Sequence, residues 1–129
     1  MLQTLLTSES TGRPMSNATI QAIEDNIRQA RKIVEVGDAL ERLKTNRDFK
    51  KVMIEGYFEQ EAIRLVHLKS DQNVQSPDMQ KSINAQIDAI GAVSQYFSTV
   101  LHKASIARKA ISSDEETRDE ILQEELNNG

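Results

Sequence analysis

INAQIDAIGAVSQYFSTVLHKASIARKAI, residues 83–111, keeps an alternating spacing of four and three through Ile83, Ile87, Ile90, Ser94, Phe97, Leu101, Ala104, Arg108 and Ile111. On an α-helix that spacing draws one stripe along the cylinder. Between residues 82 and 101 the sole charge is Asp88, so the flanks of the stripe also lack the charges of a solvated face. The stretch reads as a long helix buried on more than one side, which makes the fold all-α. The seven-spaced Val93, Val100 and Ala107, with Ala85, Ala89, Gly91, Ala92 and Ser98, widen the face beyond what one partner helix covers. Self-association or docking on a larger partner follows, with Ala89, Gly91, Val93 and Val100 as contact residues. The competing reading is a compact four-helix monomer whose middle segment folds back over the stripe.

Upstream, Ser76-Pro77 is a helix start: the serine caps and the proline occupies a first-turn position where its missing N–H costs nothing. The predicted second long helix therefore covers about 77–111. The first covers about 17–45, capped by Ser16 with Met15 stapled on Ile20. Its apolar positions are read as Ile20, Ile23, Ile27, Ala30, Ile33, Val36, Leu40 and Leu43, and Glu24 faces Arg28 at the favourable four-residue step. The two long helices are expected to lie antiparallel. Between them, residues 47–70 read as two short helices, about 48–55 and 58–69, broken at Gly56 and capping one end of the pair. Residues 1–15 read as a flexible arm with Leu2, Leu5 and Leu6 on one face. Residues 112–129 read as an acidic tail in which Ser112-Ser113 opens a new, partner-dependent helix. The domain proper is then 16–111.

Composition supports long helices and a thin aliphatic core. Of 129 residues only 4% are aromatic, none is tryptophan, and there are five glycines and two prolines. No cysteine is present, which excludes disulfides, thiolate metal sites and thiol nucleophiles. The first residues lack the basic start and apolar run of a signal peptide, and no stretch has the roughly 18 apolar residues of a membrane span, so no membrane role is expected. The net charge of −4 is unevenly placed: residues 112–129 hold seven acids and one base, leaving residues 1–111 at +2.

Reactive chemistry is sparse. His67 and His102 lack a companion at four-residue spacing, so no metal or cofactor is expected. Glu55, Glu59 and Glu61 crowd Gly56, but no nucleophile with its base accompanies them, and first-turn acids are explained by the helix dipole. Arg42, Lys44, Arg47, Lys50 and Lys51 form a basic cluster around Phe49. It is read as a solvated face or a partner-binding salt-bridge surface for acidic protein, with nucleic acid the lesser reading, because the chain as a whole is not basic.

ALERLKTNRDFKKVMIEGYFEQEAIRLVHL (residues 39–68) together with INAQIDAIGAVSQYFSTVL (83–101) resembles small helical proteins of tailed bacteriophages. Asn46, Asp48, Phe49, Lys50 and Lys51, followed by Gly56, Tyr57 and Phe58, carry the likeness, which spans roughly residues 25–110. The resemblance implies a virion or morphogenesis component assembled in the host cytoplasm, and it implies no catalytic residue. The expected function is thus a non-enzymatic structural and assembly protein, present in several copies and packing on itself and on larger virion proteins. The alternative is a small phage-encoded regulator or inhibitor that binds a host protein or nucleic acid through residues 42–51. An enzyme ranks last.

Overall fold

The computed structural model describes residues 13–128, with side chains from residue 17 onward; the arm residues Leu2, Leu5 and Leu6 and the Met15 staple lie outside what is described. The described residues are helical throughout except for two connections, and no strand occurs among them. Helix α1 is Arg13–Thr45. Ser16, the expected cap, and Pro14 both lie within it.

The inward face of α1 differs from the expected one. Ile33, Val36 and Leu43 are 42%, 51% and 43% exposed, while Val34 is half-buried and Gly37 and Leu40 are buried. Successive steps of three carry a stripe backwards around a helix of 3.6 residues per turn. The chain instead keeps alternating threes and fours through Ile20, Ile23, Ile27, Ala30, Val34 and Gly37. Arg28 also pairs with Asp25, three residues before it, and not with Glu24.

A single extended residue, Asn46, separates α1 from the next helical run. Its Oδ1 accepts from the Phe49 N–H at 2.9 Å, and its own N–H donates to the Leu43 carbonyl at 3.0 Å. One asparagine therefore ends one helix and caps the other. Asn46→Ala is expected to lower stability by about 0.5–2 kcal/mol, and Asn46→Gly by only a few tenths. Urea unfolding measures both, and equal losses would show that the cap bond is not what matters.

Helix α2, residues 47–70, is continuous: α-helical at Arg47–Phe49, π-helical over Lys50–Glu61, and α-helical again over Ala62–Ser70. The expected break at Gly56 and the pair of short end-capping helices are therefore corrected. A Cβ at Gly56 would stand 3.1 Å from the Lys51 carbonyl oxygen, five residues earlier, so glycine suits the close approach of this wide winding. The winding has a packing consequence. At 3.6 residues per turn, Phe49 and Phe58 would point to opposite sides; at about 4.4 residues per turn they share one side. Both reach Phe97, with ring centroids 6.0 and 5.7 Å away, the second pair edge to face.

The connection to the last helix is a 3₁₀ turn, Gln72–Val74, begun by the Asp71 carboxylate accepting from the Asn73 N–H at 2.8 Å. Two side-chain amides satisfy the free carbonyls at the end of α2. Gln75 Nε2 donates to the carbonyls of Lys69 and Asp71, and Gln80 Nε2 to those of Lys69 and Val74. Helix α3, Pro77–Asn128, starts where expected, with Ser76 Oγ accepting from the Met79 N–H.

It does not stop where expected. Residues 112–128 continue the same helix, so the flexible acidic tail and its separate helix are corrected. The buried phase simply runs on in sevens: Ile111, Arg118 and Glu125 on one line, Asp114 and Ile121 on the next, all half-buried. Within the stripe proper, Ser94 and Arg108 are exposed, and Val93 and Val100 (half-buried) with Ala107 (buried) take the inward places.

The chain divides into two compact units. One comprises the described residues up to Val36 together with those from Lys103; Ile27, Ala104 and Ala107 are buried in it, and Arg31 pairs with Glu115 at 3.5 Å. Both partners of that pair are about half exposed, so it stabilises little. The other is Gly37–His102. Its core is Leu65, Ile83 and Ile90, with Tyr57, Phe58, Ala62, Leu68, Val74 and Ile87 packed against them. Residues 83–97 of the stripe thus pack on α2, which lies along them instead of capping an end.

Candidate interaction surfaces

Asn46 gathers the basic cluster. Arg42 and Lys44 occupy the last turn of α1, where cations meet the negative end of the helix dipole. Arg47, Lys50 and Lys51 follow in the first turns of α2, at the positive end, where the same charge is unfavourable. Arg42, Arg47, Lys50 and Lys51 are exposed and Lys44 is half-buried. Two open depressions form here, one of about 290 Å³ lined by Thr45, Arg47, Lys50, Lys51 and Glu55. The other, of about 420 Å³, is lined by Lys44, Lys50, Ile54, Glu55 and Glu59. The cluster is therefore a mixed-charge surface, with two carboxylates set among the cations.

Of the three glutamates near Gly56, Glu55 and Glu59 belong to that surface, while Glu61 turns to Arg64, which donates two hydrogen bonds at 2.6 and 2.9 Å. Those bonds hold the Glu61 carboxyl below its ordinary value and raise the Arg64 guanidinium. A general acid needs the opposite shift.

His67 and His102 are both exposed. His67 edges an open apolar depression with Ala62, Ile63 and Val66, and among the described residues no three His, Asp or Glu side chains converge. No helix among them is long and apolar enough to cross a membrane.

The wide face of α3 resolves into two sides. Val93 and Val100, expected as uncovered contacts, belong to the inward side, because the buried phase passes through them in place of Ser94. Ala89 and Gly91 are exposed, and a Cβ built at Gly91 meets nothing within 4 Å. The sequence reading missed an order in the exposed side. Ser82, Ala85, Ala89, Ala92, Tyr96 and Thr99 are all exposed and stand at alternating steps of three and four, with Tyr96 at 59% exposure. That signal was present in the sequence but was masked by the stronger Ile83 stripe.

No family model, no curated protein and no solved structure matches this chain.

Proposed function

We propose that this chain is a non-enzymatic assembly protein that works by helix packing, on itself and on larger proteins. One observation carries the reading: the exposed side of α3 between residues 82 and 101 holds a single charge, Asp88, whereas a helix face made for solvent is normally rich in charge. In this reading α1 and α3 lie antiparallel as the frame that presents the face. The pairing of Arg31 with Glu115, and the grouping of Ile27 with Arg118 around one depression, support that direction. The likeness of residues 39–68 to small bacteriophage proteins supports a virion, built in the host cytoplasm, as the assembly. Mass spectrometry of purified particles from a phage encoding the chain is expected to find it in fixed stoichiometry. Its absence from the particles would remove the virion reading.

The basic cluster supports a second reading, a regulator that docks on an acidic protein or on nucleic acid. Three of its five cations stand at a helix start, where an anion would relieve them. DNA binding that weakens with salt and is lost in Lys50→Ala/Lys51→Ala would favour it.

A further inference from the structure

The exposed row on α3 has the spacing of a helix-packing seam, and it lies on a side of the helix turned well away from Ile83 and Ile90. Its residues are graded in size. Ser82, Ala85, Ala89 and Ala92 are small and let another backbone approach closely; Tyr96 and Thr99 project beyond them. We propose that the occupant of this face is the same face of a second copy of the chain, packed antiparallel. The proposal rests on the assembly reading above and names its partner.

Two features select an antiparallel copy. Antiparallel packing places each Tyr96 over the second copy's Ala92, and each Thr99 over its Ala89, so that large meets small. Parallel packing sets Tyr96 against Tyr96 and leaves the alanines facing one another across a gap, which forfeits dispersion contacts. Charge points the same way. Asp88 and His102 are exposed and fourteen residues apart, hence on one edge of the face. Antiparallel copies keep that edge on the same side and bring each Asp88 carboxylate to the other's His102 imidazole, whereas parallel copies turn the two edges to opposite sides and lose the contact. In this register four mostly short side chains per copy, Ala89, Ala92, Tyr96 and Thr99, meet in a small interface, so the dimer is weak and concentration-dependent.

Sedimentation of the full chain from about 1 to 300 µM is expected to show a reversible monomer–dimer equilibrium. Ala92→Glu should keep the helical circular dichroism, because the position is exposed and glutamate is a good helix former, while weakening dimerisation by about tenfold or more. The absence of cysteine allows a direct test of direction. When Ala89→Cys and Thr99→Cys chains are mixed and mildly oxidised, the disulfide joining one variant to the other is expected. A predominance of disulfides joining each variant to a second copy of itself would overturn the antiparallel arrangement. A monomer at every concentration, or a dimer indifferent to Ala92→Glu, would overturn the face itself. Neither outcome bears on whether the polypeptide is found in particles, so this inference and the assembly reading fail separately.

Discussion

Leu65→Ala is expected to destabilise the chain by about 3–4 kcal/mol, the largest loss of any single side chain. Leu65 is 0% exposed and lies at the centre of the cluster with Ile83 and Ile90. Truncation removes apolar contact and leaves a cavity that helices on both sides can close only partly. The core is thin, and no other large side chain among the described residues is as completely buried. Against a total of roughly 5–15 kcal/mol for a domain, such a loss is severe. Urea denaturation followed by circular dichroism gives the number. Leu65→Met, which conserves volume, should cost less than about 1.5 kcal/mol. An alanine variant within about 1 kcal/mol of the parent would mean that α2 does not pack on residues 83–90 as described.

Phe97→Ala comes second, at about 3 kcal/mol, the low end for an aromatic truncation because the ring is only half-buried. Phe97 touches both Phe49 and Phe58, and the contact with Phe58 is edge to face. Phe97→Leu keeps apolar area but loses the ring geometry, so it should fall between the parent and alanine. The substitution should also act locally on winding. The π section brings Phe49 and Phe58 to one side, and without Phe97 that alignment loses the ring both of them touch. Amide hydrogen exchange is expected to accelerate across Lys50–Glu61 more than across Ala62–Ser70. Uniform acceleration through residues 47–70 would show that the winding is independent of the aromatic cluster.

Much of the helical architecture was legible before the structure, because long helices announce themselves by period and by caps. Ser76-Pro77 opens α3 as read, and the Ile83, Ile87 and Ile90 positions are inward. Three failures share a cause: each concerned a place where side-chain chemistry and packing phase disagree. Val34 and Gly37 face inward although Ile33 and Val36 are the stronger hydrophobes in sequence. Residues 112–128 hold charges at the inward phase, so composition suggested a loose tail while the seven-residue line ran on through Arg118 and Glu125. Gly56 looked like a stop signal, yet it lies within a π section, whose period no α-helical pattern detects. The interaction surfaces were half legible. The basic cluster stands around Asn46, and Glu55 and Glu59, which share its depressions, were weighed separately as acid–base groups. On α3 the uncharged flank was visible, and of the four residues expected there Ala89 and Gly91 are exposed while Val93 and Val100 are half-buried.

The π section also has a consequence for chain length. Phe49 and Phe58 stand nine residues apart, whereas an ordinary α-helix aligns residues seven apart on one side. Between these two rings the polypeptide therefore carries two residues more than a helix of standard pitch needs, and the wider coil absorbs the surplus without displacing either ring. A shortened chain lacking two residues there, Gly56 among them, would meet the same aromatic alignment with regular winding. Length variation of this kind would leave the packing at Phe97 intact, making Lys50–Glu61 a stretch of α2 where insertion and deletion are absorbed by pitch and not by a loop.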